Sequence, residues 1–190
     1  RAFGVKAERL DIPTEGFETW NLWHLNQSEI EAYAEQVYHQ LKSGRYADRD
    51  LSALKNSLLE AFYNVFDHAE AEDNAYSLLQ MREGDDLLSF TLCDFGIGIV
   101  NSIRRLRPNA DDMEAMALAV KEGFTVRSRK HNKGYGFSNI SCSCAKEGSL
   151  TIVSNSVARY SRGGKVRIER LSFDFPGTII QFEARLGQFP

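Results

Sequence analysis

The sequence predicts an α+β fold: a two-layer sandwich whose mixed sheet is mostly antiparallel, with helices on one face. Three patterns point there. Two amphipathic helical stripes fill residues 28–69, a strand pair with a Gly-Asp turn follows, and from residue 150 onward strands and turns alternate with no helix between them. That order lacks the strand–helix–strand repetition of a parallel α/β sheet. With 190 residues, 43% hydrophobic and 11% aromatic, the chain is long enough for one domain with a packed interior, short for two, and too apolar for general disorder.

Phe17, Trp20, Leu22, Trp23 and Leu25 suggest a first strand. Ser28 and Glu31 have capping-box spacing, and after them Ile30, Ala34, Val37 and Leu41 fall on one helical stripe that Gly44 can end. Arg45 to Asp50 reads as a polar linker, with Asp50 placed to cap a second helix, Leu51 to Ala69. Along it Leu51, Leu54, Leu58, Phe62, Val65 and Ala69 share a face. Tyr76–Met81 and Leu87–Asp94 read as strands around Glu83-Gly84-Asp85-Asp86. Ile99–Leu106 reads as a short helix ended by Pro108, and Asp111 or Asp112 caps another that runs toward Gly123. Past a polar stretch, Gly134-Tyr135-Gly136 opens a helix ending near Gly148. Four strands close the chain: Leu150–Ser154, Val157–Tyr160, Lys165–Phe173 and Thr178–Leu186. The whole of 1–190 reads as one domain, with 1–50 a strand and helix extension and 51–187 the core. Because it opens on Arg1, it also reads as a piece of a longer protein.

A net charge of −3 gives no electrostatic case for nucleic-acid binding. Cys93, Cys142 and Cys144 are an odd set without metal-ligand spacing, which suggests free thiols in a reducing compartment. No apolar run reaches the length of a membrane span and no signal peptide opens the sequence, so a cytoplasmic protein is expected.

Three constellations carry chemistry. Glu60 and Asn64, four residues apart, lie one above the other on a helix face roughly opposite Phe62 and Val65. A carboxylate there can accept a proton from water or a hydroxyl, and a carboxamide oxygen suits Mg²⁺. Taken alone, this pair reads more simply as a solvated polar face, and Lys55 is a candidate ion-pair partner for Glu60. In the second, Leu92-Cys93-Asp94-Phe95-Gly96-Ile97-Gly98-Ile99, an acid ends an apolar strand ahead of two alternate glycines. Gly96 and Gly98 would let backbone approach a flat ligand, and Asp94 could accept the exocyclic amine of adenine. The plainer alternative is a tight turn with Asp94 as helix N-cap. In the third, Lys133-Gly134-Tyr135-Gly136-Phe137-Ser138, two glycines open a helix behind a basic loop, an arrangement that offers backbone amides to an anion. No Gly-x-x-x-x-Gly-Lys-Ser/Thr element occurs, which excludes a P-loop. Asn139 stands where a dinucleotide fingerprint needs its third glycine.

In this order the three resemble the N box and the two glycine boxes of the GHKL superfamily: gyrase-type topoisomerases, a class of heat-shock chaperone, histidine kinases and mismatch-repair ATPases. The resemblance spans about Leu51 to Leu186. Glu60-Ala61-x-x-Asn64-x-x-x-His68-Ala69 looks most like the anti-sigma-factor serine kinases, and Pro176-Gly177-Thr178-Ile179-Ile180 resembles the family strand that touches adenine. The resemblance implies a Bergerat-type ATP-binding fold with ATP and Mg²⁺ as cofactors. It implies Glu60 as general base, Asn64 as Mg²⁺ ligand, and Asp94 on the adenine amine, with Gly96, Gly98 and Thr178 nearby. It further implies Lys133, Gly134 and Gly136 around phosphate and Glu122–Lys133 as a mobile lid; Arg127, Arg129 and Lys130 read first as a solvated run, and in a lid become candidates to reach the γ-phosphate. The chain departs from the family pattern at Phe137, where Leu is usual, at the aromatic Phe95, and in a lid without extra glycines. The expected function is Mg-ATP binding with hydrolysis that drives a conformational or signalling change. A serine- or histidine-directed protein kinase and a non-catalytic ATP sensor are the alternatives. A protein partner, other domains of the same chain, or a nucleotide-dependent dimer would receive the signal. No His is followed by Glu or Asp, so a phosphoacceptor motif is missing from these residues.

Overall fold

The computed structural model describes residues 18–68, 70–71, 75–82, 84, 86–120 and 148–190. Its elements run β1 (Glu18–Leu25), α1 (Ile30–Lys42), α2 (Ser52–His68), β2 (Ala75–Arg82), β3 (Leu87–Asp94), α3 (Gly98–Arg104), α4 (Asp112–Ala119), β4 (Ser149–Arg162) and β5 (Lys165–Arg185), with a closing 3-10 turn at Leu186–Gln188. The five strands form one sheet in the order β1-β2-β3-β5-β4, and all four pairings among them are antiparallel. The fold is therefore α+β with four helices among the described residues. The parallel component of the expected mixed sheet is not found there.

The apolar stripes expected of the first two helices do the packing. Ile30, Ala34, Val37 and Leu41 of α1, and Leu54, Leu58, Ala61, Phe62 and Val65 of α2, are buried in one core with Leu79, Phe90, Leu92, Ile180 and Phe182 of the sheet. A file of rings threads both layers. Trp23, Tyr33, Phe62, Phe90 and Phe182 follow one another at centroid separations of 5.5, 5.6, 5.7 and 5.0 Å. The first three contacts are edge-to-face, the arrangement the ring quadrupoles favour. Along β2 burial alternates residue by residue, so one sheet face meets the helices and the other stays half-exposed. Tyr33 carries the hydroxyl of the file, which meets Ser77 Oγ at 3.0 Å. Burial pushes the Tyr33 phenol up to about 12.

Two local expectations fail for identifiable reasons. Ser28 and Glu31 form no capping box. The N-cap of α1 is Glu29, without a side-chain cap bond. Ser28 turns instead to Asn26 Oδ1, through its amide at 3.1 Å and its hydroxyl at 2.6 Å, while Glu31 accepts from Tyr63 Oη of α2 at 2.9 Å. A side-chain turn and a helix–helix bond have outcompeted the cap. The four closing strands are also only two. Asn155 (φ 52°) and Gly177 (φ 111°) adopt left-handed backbone inside continuous strands. Register slips there: Ser154 pairs with Thr178, Asn155 with Phe175, and Val157 with Arg170. What reads as turn chemistry is a bulge, the place where a strand tolerates Pro176.

Beyond this bulge β4 and β5 continue as a two-stranded arm, Val157–Arg162 against Lys165–Arg170, closed by Gly163 and Gly164, both at positive φ. α3 and α4 pack together and contact β4 and β5. As expected, Asp111 caps α4, its carboxylate accepting from Glu114 N at 2.9 Å. α4 ends at Ala119 with Val120 as its C-cap, short of the expected Gly123, and residues 134–147 of the next expected helix lie outside the described residues.

Candidate functional site

Two parts of the fold carry the residues singled out by sequence. The first is the end of β3. Its core-facing row, Leu88, Phe90 and Leu92, finishes on Asp94, which is 0% exposed. Asp94 stands opposite Thr178 across the β3–β5 pair. Its Oδ1 accepts from Gly96 N at 2.9 Å, which ties the turn after the strand. Asp94 does not cap α3, whose N-cap is Ile97 with no side-chain bond. Asp94 Oδ2 is enclosed and has no hydrogen-bond partner among the described residues. Burial pushes this carboxyl up to about 6, and the Gly96 and Thr178 amides offset part of the rise.

Glycine is required at two positions here for reasons within the protein. Gly98 has φ 75°, and a Cβ on it would lie 2.6 Å from Ser154 Oγ and 2.8 Å from the Gly177 carbonyl oxygen. Gly177 has φ 111°, and its Cβ would lie 2.2 Å from the Asp94 carbonyl oxygen. The β4–β5 bulge thus presses directly beneath the Asp94–Gly98 turn. Ser154 Oγ donates to the Gly177 carbonyl at 2.8 Å, and Ile99 N donates to Thr178 Oγ1 at 3.1 Å. The first bond ties the two strands of the bulge together, and the second joins the helix after the turn to it. Ser154 and Gly177 were not among the candidate residues. The Pro176-Gly177-Thr178 run was the signal for one of them, but Ser154 follows only from cross-strand register.

The second part is α2. Asp50 helps start this helix, its carboxylate accepting from Ser52 N at 2.9 Å. Glu60 and Asn64 are half-buried one turn apart, and Glu60 Oε2 and Asn64 Nδ2 are both enclosed without a hydrogen-bond partner among the described residues. Burial raises the Glu60 carboxyl above the usual range. Lys55 does not neutralise it, because its ammonium pairs with Glu35 of α1. A solvated face would leave these atoms open to water, so that plainer reading does not describe them. α2 packs against both β3 and α3, which puts it alongside the elements flanking Asp94.

Lys133, Gly134 and Gly136, the segment Glu122–Lys133, and Cys142 and Cys144 lie outside the described residues. Among the described residues no helix is long and apolar enough to cross a membrane. Comparison with models of known protein families finds no match, and comparison with curated proteins finds none either.

Proposed function

We propose that the chain is a GHKL-type ATP-binding domain of the Bergerat architecture that hydrolyses Mg-ATP with Glu60 as general base. The observation that carries this reading is the coincidence of three orphaned buried atoms with three motif residues: Asp94 Oδ2, Glu60 Oε2 and Asn64 Nδ2. Buried polar atoms without partners are few in a folded protein and mark strained, catalytic or ligand-binding positions. Each fits the group expected beside it. Asp94 Oδ2 is an acceptor at the end of an apolar strand, suited to the exocyclic amine of adenine. The Asn64 carboxamide turns either its oxygen or its nitrogen inward by a half rotation, so it can offer Mg²⁺ a neutral oxygen. Bound Mg²⁺ would neutralise phosphate charge. Glu60, held above the usual carboxylate range by burial, is the better proton acceptor for it, and it can take the proton of water or of a partner's hydroxyl.

Calorimetric titration of ATP and GTP against wild type and Asp94→Asn tests the reading. ATP should bind, GTP poorly, because guanine carries a carbonyl where adenine carries the amine. Asp94→Asn should lower ATP affinity by about 10- to 100-fold, the worth of one charge-assisted hydrogen bond. Equal affinity for the two nucleotides, or an unaffected variant, sinks it.

A further inference from the structure

A further orphaned group lies outside this site, on the β4–β5 arm. Arg159 is 8% exposed, and its Nε and Nη1 are enclosed with no hydrogen-bond partner among the described residues. It faces Ile168 across the arm, between the fully buried Val157 and Ala158 and the turn at Gly163-Gly164. The bulge begins at Ser154 and the regular ladder resumes at Val157, two residues before Arg159.

Among the described residues, the carboxylates on the elements packed around the arm are engaged elsewhere or face solvent. Asp112 of α4 holds Arg104 and Ser156. Asp111 caps α4 and pairs with Arg170 at 3.5 Å. Glu169, next along β5, pairs with Arg167 at 3.2 Å. Glu114 and Asp174 are exposed, and α3 carries no acid. A guanidinium cannot shed its proton to escape burial, although burial does lower its affinity for that proton. A buried charge without a counter-charge is among the costliest features a fold can keep.

We infer that Arg159 is an anion-binding residue of the β4–β5 arm, taking a small oxyanion, a carboxylate or a phosphate. The oxyanion supplies both the missing charge and acceptors for the orphaned N–H groups. It has two sources: a free phosphate-like ion, or the carboxylate of an acidic side chain brought by another protein. The site is distinct from the one that holds Asp94, Glu60 and Asn64, and stands or falls without it.

Thermal unfolding of the chain in rising inorganic phosphate, sodium acetate or sodium chloride, at matched ionic strength, reads the site. Above saturation, each tenfold rise in the bound anion should lift Tm by roughly 3–5 °C, from ligand linkage and the unfolding entropy of a domain this size. Chloride should not. Arg159→Met, which keeps the buried stem and removes the charge, should lose the lift. Arg159→Lys, which keeps the charge and loses the planar fork, should retain part of it and guards against a Met variant that does not fold. A lift by phosphate alone assigns the free ion, and a lift by acetate as well assigns a carboxylate. If neither anion exceeds chloride, or if the lift survives unchanged in both variants, Arg159 is only a packed stem and the inference is overturned.

Discussion

Asp94 and Glu60 each keep one enclosed oxygen without a partner, but the regions that hold them are built in opposite ways. The floor around Asp94 is fixed by backbone. Two left-handed glycines, a Thr hydroxyl and a Ser hydroxyl lock the β3 turn onto the β4–β5 bulge at contacts with no room for a methyl group. The wall around Glu60 is fixed from behind. The apolar face of α2 is packed into the core, while Glu60 Oε2 and Asn64 Nδ2 make no hydrogen bond among the described residues. Side-chain changes in the wall should therefore alter chemistry and leave folding alone. Changes in the floor should alter folding and binding together.

The sharpest test of that difference is Glu60→Gln. A general base acts on a proton in the transition state and adds little to ground-state affinity. Turnover should fall by roughly 10²–10⁴-fold with ATP affinity and Tm near wild type. Steady-state hydrolysis beside calorimetry and thermal unfolding decides it. A variant that retains full turnover while binding normally takes the base assignment away from Glu60.

In the floor, Gly177→Ala should do the reverse. Its Cβ would sit 2.2 Å from the Asp94 carbonyl oxygen, at a φ of 111° that only glycine adopts without strain. Backbone must move, at a cost of at least about 2 kcal/mol in stability, and the Asp94 turn must move with it. Urea unfolding should show the loss, and ATP affinity should fall in the same variant. A stable Gly177→Ala protein with normal affinity would mean that the bulge does not set the turn.

The same contrast explains what could be read from the sequence. The wall was legible because a helix displays its chemistry at fixed spacing. The stripe from Leu51 to Val65 locates the core side, and Glu60 and Asn64 are then a turn apart on another face. Asp94 was legible as an acid that ends an apolar strand. The supports of the floor were not legible, because Ser154 and Gly177 reach the Asp94–Gly98 turn only through the register of β4 and β5. For the same reason Asn155 and Gly177 read as turns: positive φ marks a hairpin turn and a bulge alike, and only strand pairing separates them. The Glu60–Lys55 pair was a fair local expectation, but Glu35 of α1, twenty residues earlier, takes that lysine.

A smaller effect follows from the burial of Asp94. Its carboxyl is raised from 3.8 to about 6 in the folded chain. The folded state therefore holds this proton more tightly than the unfolded one. The resulting stability is fully present below pH 4 and is lost as pH rises through 6, an amount up to about 3 kcal/mol. Asp94→Asn is neutral throughout and should remove this dependence. Without nucleotide it should be more stable than wild type at pH 7.5, and the gap should close by pH 4, in urea titrations run across that range. The same substitution is expected to weaken ATP binding, so one floor residue should stabilise the free chain and cripple the complex. Equal pH profiles for the two proteins would mean that Asp94 is solvated.

The smallest effect expected is that of Ser154→Ala. It removes one hydrogen bond, from Ser154 Oγ to the Gly177 carbonyl, and loosens the packing under Gly98. The backbone on both sides is still held by the Asp94–Thr178 pairing and by Thr178 Oγ1, so the turn should shift and not collapse. About 1 kcal/mol of stability should go, with a fall in ATP affinity of similar size, up to about fivefold. Asn64→Ala in the wall is the matched control. It should weaken only Mg²⁺-dependent nucleotide binding, with Tm unmoved in the absence of nucleotide. Unfolding and calorimetry on the two variants side by side test whether the coupling of stability to affinity belongs to the floor alone. If Asn64→Ala lowers Tm of the free chain as much as Ser154→Ala does, Asn64 is a structural residue, and the division between a floor held by backbone and a wall free for chemistry does not hold.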